Sequence, residues 1–262
     1  FEPLRESRAS ERSCVLRRRL RDDGYLFVRG LHDQAQIALA RKCLLQGLHK
    51  KGLVVGSIED GVHSGLECSA SARAHMDLHD EPSFSVLFET NSPVRHFFDQ
   101  LLGGESTTFD MRFLRCVPPG AGTPIHCDNV YMSRGTPHLL TCWTPITDCP
   151  FDKGSLCLCL NSHKETGGFA ALQATYGQLD IDRDRIEGSL SHDALEFTAG
   201  RYKGRWATAE FKSGDAVIFG MHLLHGSLTN VSNAFRISCD TRWQLKSEPM
   251  DERWSAGGAR GA

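Results

Sequence analysis

The chain has 262 residues, of which 40% are hydrophobic, and a formal net charge of −2 at pH 7. This is enough for one full-sized core, because all-β barrels of this length are commonly single domains. The balanced charge disfavours general nucleic-acid binding, which needs a basic surface. The sequence contains no run of 18 apolar residues, so no membrane-spanning helix is expected.

The ten cysteines are scattered along the chain without a Cys-x-x-Cys pair. Several of them lie in apolar strand patterns, where cysteine acts as a small hydrophobic residue. We therefore expect reduced thiols and a cytoplasmic protein. The sequence begins with Phe1 and not with Met, which leaves open a targeting peptide that has been removed.

Helical spacing of apolar residues is typical of the first 104 residues. The clearest helix is expected to begin after Asp33, as its N-cap, and to end near Gly52. The other elements predicted in this half are helices at 10–22, 83–90 and 93–102, a short strand at 25–28 and a loop at 56–82.

The pattern changes after residue 104, where short runs rich in β-branched, aromatic and cysteine residues are separated by turn residues. Helices followed by strands at this density indicate a mainly β fold, a barrel or sandwich with a helical buttress. The predicted strands are 109–117, 124–132, 138–147, 156–161, 206–211, 215–224 and 235–245.

One domain is expected over residues 1–245, with a helical part at 1–104 and a β-barrel at 105–245. Residues 164–205 interrupt the strands and are predicted to form a polar insertion. Residues 246–262 end in small residues and are predicted to form a mobile C-terminal tail.

The clearest chemical motif is Pro-Ile-His-Cys-Asp, in which His126 and Asp128 lie two residues apart in a strand pattern. Side chains at this spacing point to the same face of a strand. They can therefore occupy two corners of one metal ion, and a second histidine would complete the two-histidine, one-carboxylate face known for Fe(II). The tripeptide alone is a weak signal, because short motifs occur by chance. Another copy, at His75 and Asp77, has no strand pattern around it and is interpreted as part of a polar loop.

The third ligand is sought in residues 213–244. An apolar strand there ends at His225, with Ser227 two residues on, and a turn precedes a further strand that begins near Arg236. His222 is a rival third ligand. If the strand continues regularly, however, His222 falls on the opposite face from His225, and we therefore favour His225.

This segment resembles the distal half of the double-stranded β-helix in the phytanoyl-CoA dioxygenase family. In that family a histidine is followed by serine two residues on and by arginine eleven residues on, and His225, Ser227 and Arg236 have these offsets. The stretches at 143–148 and 154–164 resemble the middle strands of the family, although Leu-Asn replaces the usual Pro-Gly before Ser-His-Lys.

The resemblance covers residues 12–245 and implies a jelly-roll or cupin-like core. It also implies an Fe(II)- and 2-oxoglutarate-dependent oxygenase, in which His126, Asp128 and His225 bind the iron and O2 is the co-substrate. The expected partner is a small-molecule substrate, which is hydroxylated or desaturated while 2-oxoglutarate yields succinate and CO2. Halogenation is disfavoured, because halogenating relatives have Gly or Ala at the position of Asp128.

Arg236 is the expected partner of the distal carboxylate of 2-oxoglutarate, since a planar guanidinium can donate two hydrogen bonds to one carboxylate. Ser227 can add a hydroxyl donor. Thr141 and Trp143 share one strand face and are predicted to line the keto-acid pocket. Plain core packing explains Trp143 nearly as well.

Three alternatives stay open. Arg115 and Arg112 are the next candidates for the keto-acid carboxylate. A cupin-like metal enzyme without a keto acid is disfavoured by the spacing of Arg236, and a non-catalytic binding module is disfavoured by the intact set of metal ligands.

The insertion at 164–205 is predicted to act with the loop at 56–82 as a lid that controls substrate choice. Its alternative is to pack on the outside of the barrel or to mediate contacts between subunits.

Overall fold

The computed structural model describes residues 1–69, 78, 81–89, 91–197, 199, 202 and 204–255. The second His-x-Asp motif, at His75 and Asp77, and the end of the predicted tail, 256–262, lie outside the described residues. Within the described part, no helix has the length and apolar character needed to cross a membrane.

The N-terminal helices form one layer of the molecule. In the longest helix, the side chain of Asp33 accepts a hydrogen bond from the backbone of Gln36, as expected of an N-cap, and Leu44 and Leu48 lie on its buried face. The helix ends at Lys50, shortly before Gly52 adopts a positive φ of 73°. The α-helices are α1 (Ser13–Asp23), α2 (Gln34–Lys50), α3 (Pro82–Ser85), α4 (Pro93–Leu102), α5 (Ala170–Ala174) and α6 (Ala194–Phe197).

Two β-sheets face each other beside these helices. Among the described residues, the larger sheet has seven strands in the order β2-β3-β9-β6-β11-β4, with β5 also pairing with β11, and the smaller has the order β1-β8-β7-β10. The strands are β1 (Glu2–Pro3), β2 (Glu6–Ser7), β3 (Tyr25–Val28), β4 (Ser106–Thr108), β5 (Phe113–Val117), β6 (Leu140–Pro145), β7 (Leu156–Cys159), β8 (Trp206–Thr208), β9 (Ala216–Gly220), β10 (His225–Ser227) and β11 (Arg236–Leu245).

The larger sheet separates two apolar cores, because successive side chains alternate between its faces. Ile218 and Ile237 point to the helices and pack with residues such as Leu44. Val217 and Trp143 point to the smaller sheet and pack with Leu158 of β7, among others. The prediction of a mainly β fold with a helical buttress is therefore confirmed.

Trp243 fastens the helical layer to β11. Its ring is fully buried and stacks on Phe98 of α4 at 4.6 Å between ring centroids, with an angle of 2° between the planes. The guanidinium of Arg95, also on α4, lies over the Trp243 ring at 4.9 Å from the ring centroid. Burial of one large apolar side chain stabilises a fold by about 1.5–3 kcal/mol, so this contact alone holds α4 firmly.

The predicted boundary at residue 104 is only approximate, because the first 28 residues contribute strands to both sheets. β1 pairs in parallel with β8, and β2 pairs in parallel with β3. These pairings could not be predicted, since a strand of two residues is too short to show a period of two.

The insertion at 164–205 packs on the outside of the smaller sheet. Its residues Phe169, Leu172 and Tyr176 are buried in one cluster with Cys157 of β7 and Trp206 of β8. These contacts fit the alternative arrangement, and control of substrate choice by the insertion stays a prediction.

The predicted mobile tail is wrong for residues 246–255. Asp251 and Trp254 are buried, and the Trp254 indole donates a hydrogen bond to the carbonyl of Tyr131 at 3.1 Å. Arg253 pairs with Asp251 and with Asp182 of the insertion, each at 2.6 Å. A buried tryptophan and paired charges give this segment enough contacts to stay ordered, although its sequence is polar.

Candidate active site

The three predicted metal ligands lie together in the space between the two sheets. One ligand atom from each of His126, Asp128 and His225 lies within 4.8 Å of the other two. The backbone amide of His126 donates to the carbonyl of His225 at 3.0 Å, and the amide of His225 donates back at 2.9 Å. Directly opposed residues of an antiparallel pair place their side chains on the same face. The two imidazole centroids are consequently only 4.3 Å apart.

The hydrogen bonds of the histidines leave one nitrogen of each ring available. His126 Nδ1 donates to the carbonyl of Pro124 at 2.8 Å, and His225 Nδ1 donates to the carbonyl of Leu223 at 3.0 Å. The Nε2 atoms of His126 and His225 lie 3.7 and 3.9 Å from Asp128 Oδ1. Burial lowers the pKa of His126 to about 3 and also lowers the pKa of His225. Both rings are therefore neutral, the form that ligates metals.

Asp128 is held as a carboxylate by two neighbours. Burial is the largest single effect and raises its pKa, but Arg242, the two histidines and the Thr141 hydroxyl together outweigh burial, and the resulting pKa lies well below the usual value. Arg242 Nη2 donates to Oδ1 at 3.1 Å, and the Thr141 hydroxyl donates to Oδ2. Thr141 was predicted to line the keto-acid pocket, whereas its hydroxyl here orients a metal ligand.

Sequence reasoning missed Arg242, although a signal for it was present. Strand β11 alternates between polar and apolar residues, and its polar residues are buried, which is unusual and typical of a binding surface. The period of two that joined His126 to Asp128 would have found this face. Its residues are Arg236, Ser238, Asp240, Arg242 and Gln244.

The Thr141→Val substitution is expected to weaken Fe(II) binding about tenfold or more, since outer hydrogen bonds to metal ligands typically contribute 10–100-fold in affinity. An anaerobic Fe(II) titration by calorimetry measures the effect. Thr144→Val is the matched control, because Thr144 lies on the opposite face of β6 and bonds to His32 at 2.9 Å. Equal Fe(II) affinities of the Thr141 variant and the native protein would contradict this role.

Arg236 has the environment expected of an anion-binding residue. Its side chain is 1% exposed, and Nη1 donates a long hydrogen bond to the hydroxyl of Ser238 at 3.3 Å. In the described part of the chain, Nε and Nη2 have no hydrogen-bond partner. Burial lowers the pKa of Arg236, which reflects the free-energy cost of an unpaired buried cation. A dicarboxylate such as 2-oxoglutarate would remove that cost.

Two other predicted pocket residues have contacts of their own. The Ser227 hydroxyl accepts from the amide of Thr123 at 2.8 Å and lies 3.2 Å from the carbonyl of Leu228. Ser227 thus supports the loop before the metal motif. Trp143 is buried against Phe211, with ring centroids 4.9 Å apart, as the core-packing alternative expected.

The contacts of the rival residues distinguish them from Arg236 and His225. Arg112 donates to the hydroxyl of Ser85 at 2.8 Å and thus points towards the helices, whereas Arg115 pairs with Asp240 on the inner face at 2.8 Å. His222 is not part of the metal-ligand cluster, and its Nδ1 lies 3.0 Å from the side-chain oxygen of Gln173. The regular strand assumed for residues 215–224 is wrong, because β9 ends at Gly220 and β10 belongs to the other sheet.

A cavity of about 860 Å³ lies elsewhere, lined by Phe1, Leu4, Phe27 and Phe151 among others. None of the three candidate metal ligands lines it. Its size therefore does not make it the active site, which is defined by the chemistry of its side chains.

Comparison with known proteins decides the family. The family model described as phytanoyl-CoA dioxygenase (PhyH) matches residues 20–238. The chain belongs to the phytanoyl-CoA dioxygenase family. It is therefore a 2-oxoglutarate-dependent non-haem iron oxygenase with a double-stranded β-helix core, as predicted, and its cofactors are iron and 2-oxoglutarate.

Three similar proteins share between 14% and 23% of their aligned residues with this phytanoyl-CoA dioxygenase family member. The 1-deoxypentalenic acid 11-beta-hydroxylase of Streptomyces exfoliatus is 23% identical over 245 residues, which cover 86% of this chain and 79% of the relative. Among solved structures, the carbocyclase SnoK from nogalamycin biosynthesis aligns over 94% of this chain and 90% of its own, with a TM-score of 0.61 and 16% identity. EctD from S. alaskensis aligns over 97% and 84%, with a TM-score of 0.61 and 14% identity.

Proposed function

We propose that this chain hydroxylates or desaturates a small-molecule substrate, with release of succinate and CO2 from 2-oxoglutarate. In this proposal His126, Asp128 and His225 hold Fe(II), and Arg236 binds the distal carboxylate of 2-oxoglutarate. When bound, iron and 2-oxoglutarate supply the oxidising power for the reaction with O2. The chain's own residues hold these groups and shield them from water.

The observation that carries this proposal is the buried and largely unpartnered guanidinium of Arg236. A cation in such a place is stable only with an anion beside it. A cupin-like enzyme without a keto acid has no use for it. Two neutral imidazoles and one carboxylate, each with a fixed orientation, suit a divalent iron and leave part of its coordination sphere open.

Aromatic rings limit access of water to the proposed iron site. The ring of Phe219 lies 4.5 Å from that of His225, and the ring of Tyr131 lies 5.5 Å from that of His126, between centroids. Removal of water favours oxidation of the bound substrate over side reactions. Asp128 fills the position that a halide would need, and the named activity of the Streptomyces exfoliatus relative supports hydroxylation as the outcome.

The proposal is tested by the Arg236→Lys variant, which keeps the charge and loses the two-pronged donor. We expect its 2-oxoglutarate requirement to rise about tenfold or more, a cost of about 1.4 kcal/mol or above. The measurement is succinate formation as a function of 2-oxoglutarate concentration. Arg112→Lys is the matched control, because Arg112 points to the helices. If the 2-oxoglutarate requirement of the Arg236 variant is unchanged, the distal carboxylate binds elsewhere, and Arg115 is the next candidate.

Two measurements, 2-oxoglutarate binding and succinate formation, separate the two rival functions. A metal enzyme without a keto acid would not bind 2-oxoglutarate at all. A non-catalytic module would bind it and form no succinate. A screen of metabolites for stimulated succinate release, with Fe(II) present, then identifies the substrate.

A further inference from the structure

The inner face of the larger sheet carries more positive than negative charge. Arg115, Arg236 and Arg242 lie on it, and they meet two carboxylates, Asp128 and Asp240, among the described residues that face this space. The two positive charges of Fe(II) and the two negative charges of 2-oxoglutarate cancel each other. One guanidinium charge is therefore left over after both cofactors are bound, which favours a negatively charged substrate.

Arg115 is the arginine that retains open donors. In the register of β5 and β11, Arg115 lies opposite Ser238 and is diagonal to Arg236 and Asp240. Its Nε donates to Asp240 Oδ2 at 2.8 Å. Within the described part of the chain, its two terminal nitrogens have no hydrogen-bond or ion-pair partner. The Asp240 carboxylate thus fixes one edge of the guanidinium and leaves the other edge available for a two-pronged bond.

Exposure to solvent distinguishes Arg115 from Arg236, the proposed ligand of the 2-oxoglutarate carboxylate. The side chain of Arg115 is 22% exposed, whereas Arg236 is 1% and Arg242 is 3% exposed. The closed environment of Arg236 suits a cofactor that binds first and is covered. The open edge of Arg115 is reached by solvent and hence by a molecule that enters the barrel after the cofactors.

We propose that Arg115 is a specificity-determining residue that binds the carboxylate of an organic-acid substrate. This inference rests on the proposed function, because it assigns the substrate of the same site. Asp240 acts as a positioning residue that orients the guanidinium. The charge that remains on the inner face is then neutralised by the substrate, and a neutral analogue of that substrate binds poorly.

The experiment uses the full chain with Fe(II) and 2-oxoglutarate in the absence of O2. Cyclohexanecarboxylate and cyclohexanecarboxamide serve as probes, since they differ in charge and little in shape. We expect the native protein to bind the carboxylate at least about tenfold more tightly than the amide by calorimetry. Arg115→Gln should remove this preference and leave 2-oxoglutarate affinity unchanged, whereas Arg115→Lys should keep part of the preference. Arg205→Gln, at an exposed ion pair with Glu2, is the control.

Three results would overturn the inference: equal or absent binding of both probes to the native protein, a full preference retained by Arg115→Gln, or a loss of 2-oxoglutarate affinity in that variant. The last result would assign Arg115 to the keto acid. A parallel titration of 2-oxoglutarate into the Fe(II)-loaded protein, without a probe, separates the two proposals. A native protein that does not bind 2-oxoglutarate contradicts the proposed function, while one that binds it and ignores the probe's charge contradicts only the role of Arg115.

Discussion

His225→Ala is expected to lose turnover and to bind Fe(II) far more weakly than the native protein. The substitution removes a direct ligand, so the loss should exceed the 10–100-fold typical of an outer hydrogen bond. Substitution of His126 or Asp128 by Ala should have the same effect, because the three side chains form one cluster. Anaerobic Fe(II) titration and succinate formation measure the two losses separately.

His222→Ala is the control for this prediction. His222 lies three residues from His225 in sequence, but its ring pairs with Gln173 at 3.0 Å and lies outside the cluster. The variant should therefore keep Fe(II) affinity and turnover. Full activity in His225→Ala together with a dead His222→Ala would show that the third ligand has been chosen wrongly.

Replacement of residues 170–200 by a Gly-Ser linker is expected to destabilise the protein and to abolish Fe(II) binding. The insertion supports the segment that carries His126, since Ile125 receives a hydrogen bond from Leu190 at 2.8 Å and donates one to Ser191 at 2.7 Å. The linker also removes the buried side chains of Leu172 and Tyr176. At about 1.5–3 kcal/mol for each large apolar side chain, the free energy of unfolding should fall by several kcal/mol. Denaturant unfolding and Fe(II) titration measure both effects.

A single-atom variant tests the same support without removing the segment. Tyr176→Phe keeps the ring and deletes the hydroxyl, which donates to the carbonyl of Gly188 and accepts from the amide of Cys127 at 3.3 Å. We expect a loss of about 1–3 kcal/mol in the free energy of unfolding, because buried backbone groups lose their partner.

The linker variant has a contradicting outcome of its own. If the shortened protein stays folded and keeps its Fe(II) affinity, the insertion acts as originally predicted, as a lid that controls substrate binding alone.

The parts of the site that could be predicted from sequence are those with a local signal or a family resemblance. A period of two joined His126 to Asp128, although Asp128 begins a 3-10 helix (Asp128–Val130) and does not continue the predicted strand 124–132. The resemblance to the phytanoyl-CoA dioxygenase family, and no local pattern, singled out Arg236 by its offset from His225. The structure brings His126, Asp128 and His225 together and buries Arg236 without an anionic partner in the described part of the chain. The bond between Thr141 and Asp128 joins residues 13 apart across a turn, and no pattern within one strand reveals it.

The packing of the insertion could not be predicted for a similar reason. Phe169, Leu172 and Tyr176 stand at i, i+3 and i+7, which is a helical spacing. This pattern is only about two turns long, and it does not show which surface its apolar face covers. That surface is formed by β7 and β8, the two strands that flank the insertion in sequence. Trp254 likewise lies in a polar segment, and its partner, the carbonyl of Tyr131, is more than a hundred residues away.

The reciprocal backbone bonds between His126 and His225 have a consequence for the choice of metal. The spacing of the two imidazoles is fixed by peptide geometry before any ion arrives, so the site is rigid and ready-made. A rigid set of two nitrogens and one oxygen accepts several divalent ions of similar size, and copper, nickel and zinc generally bind such donors more tightly than iron does. The protein therefore depends on the supply of metals in its surroundings to be loaded with iron, and zinc or nickel should act as competitive, redox-silent occupants.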